Sequence, residues 1–239
     1  MATSPRERRR PAGPSIVEIL SSAQVFSALP ADAIATLADA CVTRTYQRGQ
    51  YLWYQGDEGS HMIVVASGLV KVVIGSEQGD EVVLVTLGPG EPIGELAILD
   101  DTPRSASVIA SEPTTVVMIS RATVLDLLNR YPPLLDALLH ALGRLVRRLT
   151  EQTGDLVFLD LGGRIAKLLL RLAEPQLGGT GPVVLDLGLS QSDLASMVGA
   201  SRPSVNRVLQ AMAARGLISV NGQVIVPRDV PRLRRRAEV

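Results

Sequence analysis

The chain has 239 residues, of which 46% are hydrophobic and only 3% aromatic, enough for one large or two modest domains with an aliphatic core. A single cysteine, Cys41, excludes an internal disulfide and a four-cysteine iron–sulfur site, and two histidines are too few for a zinc site. The net charge is zero, but residues 160–239 carry 11 Lys+Arg against 6 Asp+Glu, whereas residues 1–159 carry 13 against 18. This asymmetry favours a separate nucleic-acid-binding part, although chance would also produce it.

No apolar run reaches the ~18 residues that a membrane-spanning helix needs. The basic run "RERRR" at 6–10 is followed by "PAGPS" rather than by the apolar core of a signal peptide. We therefore expect a soluble, cytoplasmic protein that does not contact membranes. Residues 1–14 are expected to form a disordered basic tail.

The pattern of apolar residues changes near residue 42, from helical spacing to short β-rich runs. Residues 15–41 have the apolar spacing of two short helices, split near Leu29-Pro30. From 42 to about 119, short β-rich runs are separated by glycine-bearing turns, a pattern typical of an all-β sandwich or barrel. Segment 76–81, "SEQGDE", lies between two valine-rich runs and predicts a hairpin tip.

Residues 120–160 read as helical with a break at "YPP" (131–133), because proline fits only near the start of a helix. After the break, leucines recur in alternating steps of three and four residues, and Gln152 fills the one polar position of the series. The apolar members are Leu135, Leu138, Leu142, Leu145, Leu149, Leu156 and Leu159. This a/d seam favours a parallel dimer helix over the alternative, a helix packed on its own domain.

The last part of the chain reads as a helix at 161–174, a Gly/Pro loop at 175–182, a strand near 183–187, and then a helix-turn-helix. Ser190 begins a Ser-x-x-Asp helix start, Gly199 ends that helix, and Ser201 can cap the second one. The outward residues of this second helix are predicted to meet DNA: Ser201, Arg202, Ser204, Asn206 and Arg207. The alternative is a generic helical pair with a solvated face.

Two further segments follow the predicted DNA-reading helix. "GLISVNGQVIV" at 216–226 reads as a hairpin wing. The tail "RDVPRLRRR" at 228–236 adds positive charge that could meet phosphate.

The stretch "GELAILDDTPRSASV" at 94–108 gathers a glutamate, an arginine and small hydroxyls within a few residues. One interpretation is a polar turn in which Glu95 and Arg104 form a structural ion pair. The other is a pocket for an anion that carries a sugar, since arginine offers a charged fork for phosphate and a carboxylate can accept a ribose hydroxyl proton.

Three blocks, in this order and spacing, resemble the cyclic-AMP receptor/fumarate-nitrate regulator (CRP/FNR) family of bacterial transcription factors: "GELAILDDTPRSASV", "FLDLGGRIAKLLLRLA" and "LSQSDLASMVGASRPSVNRVL". The resemblance covers residues 15 to 227. It implies an α+β protein with a β-roll (jelly-roll-like) effector domain at 15–131, a dimerisation helix at 132–159 and a winged helix-turn-helix DNA-binding domain at 160–239. The single cysteine argues against the branch that senses oxygen through an iron–sulfur cluster.

The resemblance also assigns ligand-binding residues. In members that bind cyclic nucleotides, a phosphate cassette with a short helix matches Gly94, Glu95, Leu96, Arg104 and Ser105 of this chain. Glu95 would accept the ribose 2′-hydroxyl proton, while Arg104, Ser105 and backbone N–H groups would hold the phosphate.

Departures from the family pattern concern the base. In members that bind cyclic AMP, adenine is contacted by a strand serine and by adjacent threonine and serine residues on the dimer helices, and these positions align with Val85, Leu149 and Thr150. Apolar groups cannot accept the amino group's hydrogen bond, so the identity of the base stays open, with Thr86 and Thr153 as nearby polar candidates. The aromatic residue usual before the cassette is replaced by Pro92.

A second departure concerns the predicted DNA-reading helix. The family's arginine, glutamate and second arginine align with Arg202, Pro203 and Arg207. Because proline cannot accept from a cytosine amino group, the half-site should differ at that base pair.

The resemblance thus implies a homodimeric regulator, not an enzyme, that binds double-stranded operator DNA and RNA polymerase and holds neither a metal nor a prosthetic group. Its DNA affinity would respond to a cyclic nucleotide, cAMP or cGMP, in the roll. A regulator of the same fold that needs no ligand or uses another effector is the alternative. A cyclic-nucleotide-dependent regulatory subunit of an enzyme is the remote one, since we see no Ser/His/Asp, metal or P-loop constellation.

Overall fold

The computed structural model describes residues 14–75, 81–174, 184–186, 191–222 and 224–238. The predicted tail (1–13), most of the predicted hairpin tip (76–80), the predicted loop (175–182) and the predicted helix start at Ser190 lie outside these ranges.

Two helices precede the sheets, as the sequence predicted. Helix α1 (Ile16–Ser22) begins with a capping box between Ser15 and Glu18, and a 3₁₀ turn (Gln24–Phe26) follows it. Helix α2 (Ala31–Asp39) starts directly after Pro30, which has an extended backbone and precedes the first turn of the helix.

Eight strands form the predicted β-roll from two four-stranded antiparallel sheets, ordered β1-β8-β3-β6 and β2-β7-β4-β5. Their bounds are β1 (Val42–Tyr46), β2 (Tyr51–Trp53), β3 (His61–Ser67), β4 (Val70–Gly75), β5 (Glu81–Leu87), β6 (Pro92–Ile93), β7 (Ser107–Ala110) and β8 (Thr114–Ser120). Side chains from both sheets share one core, which includes Trp53, Val65 and Val108. Strands β4 and β5 pair as the predicted hairpin, with Gly75 opposite Glu81.

Three helices complete this half of the chain. The short helix α3 (Glu95–Leu99) lies between β6 and β7, and α4 (Arg121–Arg130) follows β8. The long helix α5 (Pro132–Phe158) begins at the predicted proline break. Its first turns pack with α1, α2 and α4 in a second core against the sheet β1-β8-β3-β6.

The apolar residues of α5 divide between two faces, and the predicted seam departs from the exposed face at four positions, Leu138, Leu145, Gln152 and Leu159. Leu138 is 2% exposed in the core shared with α1 and α2, Leu159 is 8% exposed, and the Gln152 side chain donates to the Leu84 carbonyl at 3.1 Å. These residues pack on their own chain. The exposed or half-exposed residues follow a different phase, which we call the exposed stripe: Leu135, Leu139, Leu142, Val146, Leu149, Thr153 and Leu156.

The remaining elements form a second unit, which we call the head. It comprises α6 (Leu161–Ala173), β9 (Leu185–Asp186), α7 (Gln191–Met197), α8 (Arg202–Ala214), β10 (Ile218–Asn221), β11 (Val224–Pro227) and α9 (Val230–Ala237). Strands β10 and β11 pair as the predicted wing, with β9 on the far side of β11. One apolar core joins all four helices of the head to this sheet.

The basic tail forms helix α9, which packs on α6 with Leu233 fully buried. Arg236 donates to Asp160, the residue that caps α6, so this arginine is tied to the junction between α5 and α6. An added Cβ on Gly162 would lie 2.6 Å from the Arg236 guanidinium, so this side chain packs closely over the start of α6. Within the described ranges, no helix is both long and apolar enough to cross a membrane.

Candidate functional site

The cassette turn places a glycine where only a glycine fits. Gly94 follows β6 with a φ of +93° and serves as the N-cap residue of α3. An added Cβ would lie 2.5 Å from Nη1 of Arg104 and 3.3 Å from the ring of Trp53. The turn therefore needs glycine both for its left-handed backbone and for the approach of Arg104.

Arg104 is 3% exposed, and its guanidinium is held by main-chain oxygens from two other segments. Nη1 donates to the Gly94 carbonyl at 3.2 Å, and Nη2 donates to the His61 carbonyl at 2.5 Å. Its Nε is buried and has no hydrogen-bond partner in the described part of the chain. One donor of a nearly buried cation is thus left unpaired among the described residues.

Trp53 covers one face of this guanidinium, with Cζ of Arg104 4.1 Å from the ring centroid. Sequence patterns did not single out Trp53, because its only signal was membership of a β-rich run. His61 packs edge-on against the same ring, at 5.8 Å between centroids. We call Trp53, His61, Gly94, Glu95 and Arg104 the Arg104 cluster.

Glu95 shares the cluster but is not an ion-pair partner of Arg104. Among the described residues, no carboxylate oxygen lies within 4.0 Å of the Arg104 guanidinium, so the structural ion pair considered from the sequence is not formed. Burial raises the pKa of Glu95, while the N–H groups of Glu95 and Gly94 and the charge of Arg104 act to lower it. Burial lowers the pKa of Arg104, against the opposing charges of Asp57 and Glu95.

The remaining predicted phosphate and ribose residues lie next to this cluster. Leu96 is half-buried on α3, and Ser105 is exposed in the loop before β7. The structure therefore joins Gly94 to Arg104 by a hydrogen bond, places Glu95 near enough to interact electrostatically with Arg104, and leaves Ser105 exposed.

The predicted base-contacting residues lie on two different elements. Val85 and Thr86 are half-buried on β5, opposite Val72 and Lys71 of β4. Leu149 is half-buried on α5. Within the described ranges, no hydrogen bond joins the predicted base-contacting residues on β5 and α5 to the Arg104 cluster. The exposed Thr150 donates its hydroxyl to the Val146 carbonyl of its own helix.

Two contacts that sequence reasoning missed connect α5 and the head to the β4–β5 hairpin. Gln152 binds the Leu84 carbonyl, and Lys71 is ion-paired with Asp193 of α7 at 3.1 Å. A cavity of about 940 Å³ opens between β5, α5, α6 and α7. Leu149, Thr153 and Leu156 of the exposed stripe line this cavity.

The predicted DNA-reading helix is α8. Ser201 caps it by accepting from the Ser204 N–H, and Gly199 ends the preceding helix region with a φ of +62°. Arg202 and Arg207 are exposed, while Ser204 and Asn206 are half-buried on the same helix. Val205 and Leu209 face the core of the head, on the side of α8 opposite to the exposed Arg207.

Two family models match the chain in the order of the two structural units. The cyclic nucleotide-binding domain matches residues 43–131, which contain the roll and the Arg104 cluster. The Crp-like helix-turn-helix domain matches residues 163–236, which contain the head.

Curated relatives and solved structures agree with this division. The chain is 35% identical over 223 residues to a CRP-like cAMP-activated global transcriptional regulator of Mycobacterium tuberculosis, covering 92% of this chain and 99% of that protein. It is 33% identical to the cAMP-activated global transcriptional regulator CRP of Salmonella typhimurium, over 78% of this chain and 89% of that one. The structure of CLP, a c-di-GMP responsive global regulator of Xanthomonas campestris, superposes with a TM-score of 0.74 at 25% identity, over 84% of this chain and 100% of that one. The matches to the cyclic nucleotide-binding domain and to the Crp-like helix-turn-helix domain agree with relatives that are matched along nearly their whole length. This chain therefore belongs to the CRP/FNR family of DNA-binding transcription regulators.

Proposed function

We propose that this regulator is a homodimer whose affinity for operator DNA is controlled by a cyclic nucleotide bound at the Arg104 cluster. The observation that carries the proposal is Arg104 itself, a cation that is 3% exposed, has an unpaired Nε and has no described carboxylate within hydrogen-bonding distance. A buried, charged group without an ionic partner is costly, and an anion that enters the site offsets that cost.

The chemistry of the cluster suits a cyclic phosphate on a ribose. The guanidinium offers a charge-assisted hydrogen bond to phosphate, and its planar, rigid set of N–H donors matches the geometry of phosphate oxygens. Glu95 can accept from a sugar hydroxyl, as carboxylates do in other nucleotide sites. These groups recognise what all cyclic nucleotides share, so they do not select a base.

Selection of the base falls to β5 and α5. Val85 and Leu149 cannot accept a hydrogen bond from an exocyclic amino group, and Thr150 already donates to its own helix but keeps acceptor capacity. The relatives named as cAMP-activated favour cAMP as the effector. Because the polar contacts to the base are few, we expect a modest preference for cAMP over cGMP.

The exposed stripe supports the dimer. Leu139, Val146 and Leu156 are 56%, 62% and 56% exposed on one face of a 27-residue helix, with the steps of four and three residues that a two-helix seam needs. A second copy of α5 packed on the stripe would also fill part of the cavity that Leu149 and Thr153 line. A dimer of this kind has a two-fold axis, and the two heads related by that axis would meet the two half-sites of a palindromic operator.

Control of DNA binding needs an element that ligand and head both contact. Strand β5 carries Val85 and Thr86, receives the Gln152 bond from α5, and is paired with β4, whose Lys71 binds Asp193 of the head. These contacts can be arranged in more than one way, with the head oriented differently in each. A nucleotide that binds one arrangement more tightly would raise the population of that head orientation, and the ratio of the two affinities sets the size of the shift.

Calorimetric titration with cAMP and cGMP tests the site. The wild-type protein should bind, and the Arg104→Gln variant should lose about 100-fold or more in affinity, because a charged partner of phosphate is removed. The Arg44→Gln variant is a matched control, since Arg44 is an exposed arginine on β1 of the same roll. If the wild-type protein bound neither nucleotide, the regulator would be ligand-independent or would use another effector. If both variants bound a nucleotide equally well, that nucleotide would bind at a site other than the Arg104 cluster.

A further inference from the structure

Trp53 ends strand β2, and its ring is nearly buried. It is 7% exposed, and its indole N–H donates to the Ala106 carbonyl at 3.1 Å. This bond joins β2 to the residue before β7 and fixes the plane of the ring. The Arg104 guanidinium lies over that plane at 4.1 Å, within the range of a cation–π contact.

An aromatic face can stabilise the charge of Arg104 without occupying its N–H donors, which a carboxylate cannot do. A carboxylate beside Arg104 would stabilise its charge but would occupy the N–H donors that a phosphate needs. A ring face attracts the cation through its quadrupole and consumes none of these donors. In this structure two donors go to main-chain oxygens of Gly94 and His61, and Nε has no partner within the described ranges.

We propose that Trp53 is a positioning residue of the phosphate site: it keeps the buried, charged Arg104 in its binding conformation when no ligand is present and leaves its donors for phosphate. This inference rests on the proposed nucleotide site and adds to it a residue that the cassette stretch does not contain. The three-way contact supports it, since an added Cβ on Gly94 would strike both Arg104 and Trp53.

A positioning role has a specific thermodynamic consequence. Without the ring, Arg104 would populate other conformations, and the apparent affinity for nucleotide would fall by the fraction of protein that remains competent. For a desolvated cation–π contact, the loss is expected to be about threefold to thirtyfold. Phenylalanine keeps a ring in that place and should cost less than leucine.

The experiment uses the fact that Trp53 is the only tryptophan of the chain. Biosynthetic replacement of tryptophan by mono- and difluorotryptophan therefore changes this residue alone, with nearly the same shape but a weaker quadrupole. The dissociation constant of cAMP should rise from tryptophan to fluorotryptophan to difluorotryptophan at position 53. In the substituted proteins it should also rise, less in Trp53→Phe than in Trp53→Leu. Equal affinity in all of these proteins, or tighter binding by the fluorinated ones, would overturn the proposal, because simple packing does not depend on the quadrupole.

The ligand-free protein separates this inference from the proposed function. Denaturant unfolding of wild type, Trp53→Leu, Arg104→Gln and the double variant gives the coupling between the two side chains without any nucleotide. Favourable coupling together with no nucleotide binding by wild type would remove the proposed function and keep the contact. Nucleotide binding by wild type together with zero coupling would keep the function and overturn the role of Trp53.

Discussion

The Lys71 ammonium lies 3.1 Å from a carboxylate oxygen of Asp193, and this ion pair joins strand β4 of the roll to helix α7 of the head. Both side chains are less than one-fifth exposed, at 19% and 18%. Lys71 is also the strand partner of Thr86, one of the residues predicted to lie near the base of a bound nucleotide. The pair therefore connects the predicted ligand region with the DNA-binding unit.

Loss of this ion pair should uncouple the head from the roll. Because the pair is largely shielded from solvent, the Lys71→Ala and Asp193→Ala variants should show a coupling of about 1 kcal/mol in a double-mutant cycle of denaturant unfolding at fixed protein concentration. The exposed pair Arg130 and Asp126, at 56% and 54%, provides the control cycle, with a coupling of at most about 0.5 kcal/mol. Equal coupling in the two cycles would contradict a special role for Lys71 and Asp193.

The carboxyl group of Glu95 should make stability depend on pH. Burial raises its pKa above the ordinary 4.5, so the folded protein keeps this proton to a higher pH than the unfolded chain does. The contribution of Glu95 to stability therefore declines as the pH rises through its raised pKa. The Glu95→Gln variant should unfold at a higher denaturant concentration than wild type at about pH 8, and this advantage should shrink as the pH approaches 4.5. A difference that stays constant across the titration would show that Glu95 is not the group responsible.

A charge on the exposed stripe should dissociate the dimer. The Val146→Asp variant places a carboxylate in the proposed seam, and its desolvation should raise the dimer dissociation constant by about 100-fold or more. Val42 on β1 offers a matched control, because it is 64% exposed and Val146 is 62% exposed. Sedimentation velocity should find a monomer for Val146→Asp and a dimer for Val42→Asp. The same mass for both variants would place the interface elsewhere.

The same helix should respond differently on its inner face. Leu138→Ala removes a side chain that is 2% exposed in the N-terminal core, so it should lower the free energy of unfolding by about 2–5 kcal/mol. A comparable loss for Leu139→Ala, whose side chain is 56% exposed, would contradict the assignment of the two faces.

Operator preference should depend on the first turn of α8. If Arg202 reads a guanine, Arg202→Ala should weaken operator binding by about 10- to 100-fold and relax the preference at one base pair. Pro203→Glu introduces an acceptor for a cytosine amino group and should shift the selected half-site toward a C·G pair there. Selection from random DNA measures both effects. Arg215→Ala, at the exposed far end of α8, is the control for simple loss of charge, and an identical effect on sequence preference would contradict this reading of Arg202.

The sequence predicted the fold well because its signals were local. Alternating β-rich runs, the proline break before α5 and the Ser201 cap depend on neighbouring residues, and the structure has each of them where it was expected. The phase of the seam depends on long-range packing. Leucines at 138 and 139 both fit a helical repeat, and only the contacts of Leu138 with α1 and α2 assign it to the inner face.

In the site, too, residues close together in the sequence could be predicted, and contacts between distant residues could not. The cassette stretch identified Glu95 and Arg104 because they lie close together in the sequence. Trp53 could not be found in this way, since it meets Arg104 across 51 positions of chain and only after β2 and β7 have paired. Lys71 and Asp193 are further apart still. Asp193 belongs to the Ser-x-x-Asp helix start, but that motif does not predict a partner in the roll.

Operator binding by α8 should respond to a nucleotide at Arg104. Fluorescence anisotropy of a labelled operator, titrated with wild-type protein at constant salt with and without cAMP, measures this response. We expect cAMP to change the operator affinity of wild type by about 5- to 150-fold, and Arg104→Gln to remove this change while its own ligand-free affinity stays near that of wild type. An operator affinity that does not respond to cAMP in wild type, or that responds equally in Arg104→Gln, would rule out control of DNA binding through Arg104.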